Sequence, residues 1–461
     1  MKVMLATPVM KERAADIQYI PLGLAYVASS LVNTGHEVRI LDARILKPSD
    51  EEILRAVEEF SPAVFGVTAT TCQIYDAAVL LKLIKSSFPE IKAVIGGPHV
   101  SALPQHTLKE FPWIDFVIVG EGEETASELV SFLEAGRNLS AVKGICYRVG
   151  KKTVLTPPRE FSDPNKLPFP ARELFPLDRY AKNAFVVKET PMTTIITSRG
   201  CPGGCVFCCK STFGRKFRAR SVENVLQEIE LLVERGYREI HVVDDAFTLD
   251  RNRAKEILRG IISKGWNLNF TLPNGIRVDT VDEEMAALLK KAGFYWLWFG
   301  VESGDQGVIN NIKKGIRIEQ VRKAVKLTKK QGMFTGLYFI VGLLGSSPKT
   351  ERKSLELALE LDADAVGVSI LTVYPGSELF STLRKNEADW KAFRHDFSEH
   401  VFTGEGFDGR YILSEFQKFI GGFYLRPAYP IKMLLRHGRF GARFLTASLQ
   451  NLIIRRLGLE V

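Results

Sequence analysis

Short all-apolar runs alternate along this chain with longer stretches whose apolar positions recur every three or four residues. Parallel strands buried on both faces read as continuous apolar runs, whereas the helices that cover them carry a single apolar stripe. In the first third, residues 2–8, 38–42, 63–68, 93–97 and 116–120 are expected strands. Between them, 23–34, 50–60, 74–87 and 102–111 have helical spacing, with Gly35 placed to stop the first helix and Ser49 to cap the second. Strand and helix in strict alternation predict a doubly wound parallel sheet, whose ligands bind beyond the strand carboxyl ends. Those ends carry Thr7, Thr68 and Thr70, then Gly96, Gly97 and His99, then Gly120, Glu121, Gly122 and Glu123. Glycines there let a ligand approach the backbone, and the threonine hydroxyls can hydrogen-bond it.

After this the pattern changes. Residues 145–149 and 153–156 predict a hairpin, and Pro157, Pro158, Pro164, Pro168 and Pro170 then exclude regular structure. The βα rhythm resumes with expected strands at 193–197, 239–243, 269–273, 295–300, 336–341 and 365–371, and a helix at 221–235 capped by Ser221. Six such units predict a partial (β/α)6 TIM-like barrel with its active site at the strand carboxyl ends. The fold class is therefore α/β. The expected organisation is a Rossmann-like domain over 1–140, a hairpin and Pro-rich linker over 141–190, the partial barrel over 191–385 and a small, mostly helical basic region over 386–461.

Composition adds little to fold class but something about partners. With 46% hydrophobic and 25% charged residues among 461, the chain reads as a soluble globular protein. Its start has no signal-peptide pattern, and its longest apolar run, near 333–345, is too short to span a bilayer, so a cytoplasmic location is expected. The net charge is +9, and from Arg410 onward nine Lys or Arg against two Glu account for +7 of it. Aromatics interleave with those cations at helical spacing. A peripheral contact with an anionic membrane, cover for an amphipathic or lipid-like substrate, and a basic face on a capping subdomain all fit; nucleic acid ranks behind them, since no RNA-binding module is recognisable.

The chemistry concentrates between Thr197 and Lys210. Cys201, Cys205 and Cys208 stand at C-x3-C-x2-C spacing on a turn loosened by Gly200, Gly203 and Gly204. Thiolates select soft metals, and an iron–sulfur cube takes one protein sulfur per iron, so three ligands leave one iron open. A zinc knuckle would need a fourth ligand, and the next thiol, Cys209, is adjacent to Cys208. Cys209 reads as a packing thiol, as do Cys72 and Cys146; with six cysteines in a chain this long, no disulfide framework is indicated.

The run from Arg199 to Cys208, Arg-Gly-Cys-Pro-Gly-Gly-Cys-Val-Phe-Cys, resembles the signature of the radical S-adenosylmethionine enzymes. The resemblance implies a [4Fe–4S] cluster on Cys201, Cys205 and Cys208, with S-adenosylmethionine chelating the open iron. Pro21-Leu-Gly-Leu-Ala-Tyr-Val, Gly96-Gly-Pro-His99 and Gly120-Glu-Gly-Glu-Glu resemble the cobalamin-binding domain that precedes the radical domain in the largest cobalamin-dependent subgroup. Together these similarities cover residues 1–385. They imply that Asp244 and Asp245 meet the methionine amine and Arg277 its carboxylate. Glu302 and Ser303 would contact the methionine or ribose portion, and Gly342 would end the adenine-side strand. Cobalamin would lie against Thr7, Thr68, Thr70, Gly96, Gly97, His99, Gly120, Glu121, Gly122 and Glu123.

Two departures are informative. The Asp-x-His-x-x-Gly loop that supplies a lower axial histidine is absent, and Leu41-Asp-Ala-Arg44 stands in its neighbourhood. Cobalamin is therefore expected with its own base displaced and no protein histidine on cobalt, His99 being a hydrogen-bonding wall. The run from Leu343 to Glu351 also replaces the commoner Pro-Gly-Glu-Thr turn. As implied by the resemblance, an external donor such as flavodoxin or ferredoxin reduces the cluster, at low oxygen. S-adenosylmethionine is split to methionine and a 5′-deoxyadenosyl radical, which takes hydrogen from an unactivated carbon of a small-molecule substrate, and methylcobalamin delivers a methyl group. A radical cyclisation or rearrangement, as in the tetrapyrrole-cyclase-like branch, is the alternative. A non-catalytic corrinoid or iron–sulfur carrier comes third.

Overall fold

The computed structural model describes residues 1–9, 19–180, 187–383, 390 and 409–457, with side chains from 410 to 446 in the last stretch. The N-terminal sheet contains β1 (Lys2–Thr7), β2 (Glu37–Asp42), β3 (Val64–Thr68), β4 (Lys92–Gly96), β5 (Phe116–Ile118), β6 (Ile145–Val149) and β7 (Lys152–Leu155), in the order β2-β1-β3-β4-β5-β6-β7. The first five strands are parallel. The last two are antiparallel. The hairpin expected in the connector is thus the edge of this sheet, where Ile145, Cys146 and Tyr147 find cover.

Period-two alternation divides the core in two. Val3 and Leu5 of β1 face Leu24 and Leu31 of the helix Leu22–Asn33 and Leu129 and Val130 of the helix Glu123–Glu134. Met4 and Ala6 face the opposite core, with Ile53 and Val57 from Asp50–Phe60 and Leu81 and Ile84 from Ile74–Ser87. Ser49 caps as expected, and Glu52 returns a carboxylate to the Ser49 amide at 2.8 Å, completing a capping box. The helix expected over 102–111 is instead two, Pro98–Ala102 and Pro104–Glu110, because Pro104 has no amide hydrogen to continue the first and holds Leu103 out of helical conformation.

The second sheet begins with β8 (Met192–Ile195). A two-stranded antiparallel ribbon of β9 (Ser198–Arg199) and β10 (Arg218–Ala219) flanks the cysteine loop. The sheet continues through β11 (Glu239–Val242), β12 (Asn269–Ile276), β13 (Phe294–Glu302), β14 (Phe334–Val341) and β15 (Ala365–Ile370), in the order β15-β14-β13-β12-β11-β8, parallel throughout. It does not close into a ring. At the β8 edge, Arg172 donates to the Thr194 carbonyl at 2.7 Å and is itself held by Glu228 at 2.6 Å. At the β15 edge, the Tyr424 hydroxyl accepts from the Val366 amide at 3.0 Å and donates to the Val366 carbonyl at 2.7 Å.

Tyr424 belongs to the basic C-terminal region, which forms the helix Gly409–Tyr424 and the helical stretch Ala428–Leu457, broken at Gly438 (φ 50°, ψ −129°). Phe419, Phe423, Met433 and Phe444 join the barrel core. Part of the basic charge is neutralised inside the molecule: Lys432 and Arg436 both pair with Asp362 and Asp364. Among the described residues no helix is long and apolar enough to cross a membrane.

Burial opposes the charge on Asp362, but hydrogen bonds and attraction from Lys432, with Arg436 and Lys329, hold its carboxyl down to about 2. A depressed folded-state pKa adds stability that is complete above the ordinary carboxyl value and disappears as pH falls through the depressed one. Asp362→Asn is expected to lower the melting temperature by a few degrees at pH 7. Between pH 5 and 2 the wild type should converge on the variant; parallel melting curves across that range would refute the pairing as a stabilising contact.

Candidate active site

The carboxyl ends of both sheets open on one cavity of about 800 Å³. Thr68, Gly96, Gly97 and the run from Gly120 to Glu123 reach it from the first sheet; Asp245, Arg277, Gly300, Glu302 and Tyr338 reach it from the second. Cys201, Cys205 and Cys208 lie between the two sets.

The cysteine loop is shaped by its backbone. Gly200 adopts φ +80°, and a Cβ there would run into the Lys216 carbonyl. Buried Val206 donates its amide to the Ile312 carbonyl at 3.2 Å, fixing the loop between its first and last thiols. Cys208 opens to the cavity but is walled by protein behind. Burial, and against the pull of Lys210 the nearby Cys205, Asp245 and Cys201, push its thiol up to about 11. A metal cation bound there would offset this crowding and displace the thiol proton. Among the described residues no three His, Cys, Asp or Glu side chains converge on a single ion; a cluster, with one sulfur on each of several irons, does not require that convergence. Cys209 also lines the cavity, and its sulfur lies 3.0 Å from the Ser211 hydroxyl.

At the second sheet the expected S-adenosylmethionine residues divide. Asp245 faces the cavity and accepts from the Gly200 amide at 3.2 Å; burial raises its carboxyl above the ordinary range. Asp244 does not line the cavity: the Thr197 amide, the Thr197 hydroxyl and the Ser198 hydroxyl all donate to it at 2.6 Å. It is a strut under the cysteine loop. Arg277 reaches the cavity braced by Asp279 and by the carbonyls of Lys314 and Gly315. Glu302, at φ +69°, is paired with Lys314 at 2.6 Å. Burial works to lower the Lys314 ammonium, but Glu302 and Cys205 hold it above its ordinary value. Ser303 turns away to accept from the Asp305 amide. Gly342 gives its amide to Glu351 and packs on Ile412, so neither residue is brought to the cavity. Lys314 and Tyr338 are cavity residues that sequence reasoning missed; Lys314 precedes Gly315 with no motif to mark it.

At the first sheet, Gly97 (φ +110°) brings its backbone so close to Ala69 that a Cβ would stand 2.5 Å from the Ala69 carbonyl oxygen. Thr68 lines the cavity, whereas Thr7 hydrogen-bonds Asp42 and Thr70 bonds Gln73. His99 is buried outside the cavity, 3.2 Å from the Thr71 hydroxyl and edge-on to Trp390, and burial brings its imidazole down to about 4. Among the described cavity residues none is a histidine. In the Leu41–Arg44 neighbourhood, Asp42 is buried and taken by Thr7 and Tyr180. Glu121 and Glu123, expected against cobalamin, line the cavity and are also paired with arginines: Arg199 with both, and Arg218 with Glu121. From this end the cavity extends as an apolar slot between the sheet and two helices, lined by Leu5, Gly66 and Val94 opposite Gly23, Val27 and Leu129. These described residues offer it apolar groups and glycine backbone, a lining suited to a flat, apolar ring system.

Two family models match the chain: Radical SAM superfamily over residues 195–358 and B12 binding domain over residues 13–130. An uncharacterised methyltransferase of Pyrococcus horikoshii is 34% identical over 450 residues, 95% of this chain and 96% of that protein. The anaerobic magnesium-protoporphyrin IX monomethyl ester cyclase of Rubrivivax gelatinosus is 27% identical, covering 93% of this chain and 78% of that one. A solved structure of the radical S-adenosylmethionine methyltransferase TsrM from Kitasatospora setae, with tryptophan and an S-adenosylmethionine analogue bound, superposes with a TM-score of 0.78 at 18% identity, over 99% of this chain and 100% of that one.

Proposed function

The chain belongs to the radical S-adenosylmethionine enzymes that carry a B12-binding domain, and from that premise we propose that it is a cobalamin-dependent methyltransferase acting on an unactivated carbon of a small-molecule substrate. One observation carries the reading: a single cavity has three thiols on one wall and an apolar slot in the other, so two cofactors and a substrate would share one enclosure.

Cys201, Cys205 and Cys208 would hold the cluster, and the slot between the sheet and its two helices would take a flat ring-bearing arm of the corrin cofactor. When bound, the cluster supplies the electron that opens the sulfonium to give a carbon radical, and the corrin supplies the methyl group. The chain's own residues bind and orient. The Asp245 and Glu302 carboxylates suit an ammonium, and the Arg277 guanidinium suits a carboxylate, so an amino-acid end would be aligned by opposite charges. Lys314 offsets Glu302, keeping this corner near neutral before a zwitterion enters. Tyr338 stacks on Trp298 with centroids 4.4 Å apart, and its hydroxyl donates to the Pro273 carbonyl at 2.7 Å, which fixes a flat wall beside that corner. Phe207, Phe339, Ile340 and Leu371 give the cavity an apolar stretch of wall beside the polar Asn274, Ser369 and Thr372.

Protein reconstituted anaerobically with iron, sulfide and hydroxocobalamin should bind one corrin. With S-adenosylmethionine, dithionite in place of a protein reductant, and amphipathic test substrates, it should release 5′-deoxyadenosine, S-adenosylhomocysteine and methylated product. Product without an added methyl would instead support a radical cyclase, the reading favoured by the similarity to the magnesium-protoporphyrin ester cyclase. Absence of 5′-deoxyadenosine from a competently reduced cluster would remove both enzyme readings and leave a carrier.

A further inference from the structure

We infer that Arg199 is a positioning residue: it ties the cysteine loop to the first sheet and so sets the two walls of the cavity at a fixed separation. What those walls hold rests on the function proposed above; the tie itself rests on geometry. The Arg199 side chain is 3% exposed, and its two terminal nitrogens reach different residues, one to Glu121 at 3.0 Å and one to Glu123 at 2.6 Å. Its guanidinium lies between the rings of Tyr26, on the first sheet's helix, and Phe213, on the cysteine loop, with centroids at 4.9 and 5.1 Å. Arg218, directly opposite Arg199 on the β9–β10 ribbon, meets both oxygens of Glu121, at 2.9 and 3.0 Å, and the Ser162 amide also donates to that carboxylate. Two guanidiniums and two carboxylates thus form a neutral set, which Arg218 extends to the Ser162 and Phe213 carbonyls.

Seventy-eight residues separate Arg199 from Glu121, so no local turn brings them together. A buried ion pair is weak evidence for stability, because desolvation cancels much of the attraction. A guanidinium fork does demand its acceptors at set positions. Gly120 and Gly122, on either side of Glu121, line the corrin side of the cavity, and Cys201 follows Arg199 by two residues. The fork therefore holds the backbone of one wall against the backbone of the other.

The test compares wild type, Arg199→Gln, Glu123→Gln and the Arg199→Gln/Glu123→Gln double variant. Each single substitution strands a buried charge, and the double variant removes both, so the doubly substituted protein should fold at least as well as either single. With no cofactor bound, amide exchange across residues 200–214 should quicken about tenfold in Arg199→Gln and in the double variant, while β4 stays unchanged. After loading, all four proteins should hold wild-type amounts of iron, sulfide and corrin. The magnetic coupling between reduced cluster and cob(II)alamin should be sharp in wild type and broadened in every variant. Unchanged exchange together with unchanged coupling in Arg199→Gln would overturn the inference. If no protein takes up corrin, the proposed function fails, and the exchange measurement still decides the tie: unchanged exchange in Arg199→Gln would then overturn it.

Discussion

Cys205→Ala is expected to retain the fold but to lose bound iron and sulfide by at least about tenfold on anaerobic reconstitution, with corrin content at the wild-type level. The fold survives because the loop around Cys205 is held by other contacts: the Val206 amide on Ile312, the Cys208 amide on the Cys205 carbonyl, and the Lys210 ammonium on the Gly203 carbonyl. None of these needs the Cys205 sulfur. The loss should be large because a cube that takes one protein sulfur per iron would be left with two. Iron and sulfide counts with the visible absorbance of the cluster decide the matter, and wild-type values in Cys205→Ala would place the metal on other residues.

Gly23→Phe is expected to have the converse effect: wild-type iron and sulfide, but corrin uptake reduced at least about tenfold. Gly23 lies at the start of the helix Leu22–Asn33 and lines the slot, and a Cβ built on it meets nothing within 4 Å. A side chain starting into that open space would compete with a ligand in the slot, whereas one at Gly97 would strike Ala69 backbone at its first carbon. Equilibrium dialysis against hydroxocobalamin measures the effect. Undiminished uptake would mean that the corrin arm does not use the slot. The two variants together separate the two cofactor walls, since each should lose one cofactor and keep the other.

Strand positions were legible because parallel strands buried on both faces leave apolar runs that nothing else in the sequence imitates, as at Lys2–Thr7 and Phe334–Val341. The helix Glu123–Glu134 was not, because its buried face includes Thr125 and Ser127 and so breaks the apolar stripe. The hairpin was read as a hairpin, but its attachment to β5 is a long-range pairing for which a sequence has no local mark. Among candidate site residues, Gly96, Gly97, Gly120, Gly122 and the three cysteines line the cavity, and backbone freedom or a rare chemistry marks them in the sequence; Gly342 does not line it. Charged residues were harder. Asp244 and Asp245 are neighbours with opposite fates, one consumed by three donors and one open to the cavity, and pattern alone cannot choose between them. Glu121 and Glu123 stand where a ligand was expected, yet their partners come from residues 199 and 218, which only tertiary packing brings near.

Because the second sheet never closes on itself, its outermost strand at β15 would present an unsatisfied backbone to any extended segment it met, the usual template for aggregation. One phenolic hydroxyl from the C-terminal helices engages both Val366 backbone groups there, and the helices around it cover the strand. The basic tail thus acts as an edge guard: a polypeptide released before Gly409 would carry a complete set of barrel strands and also a ready docking line for the next copy of itself.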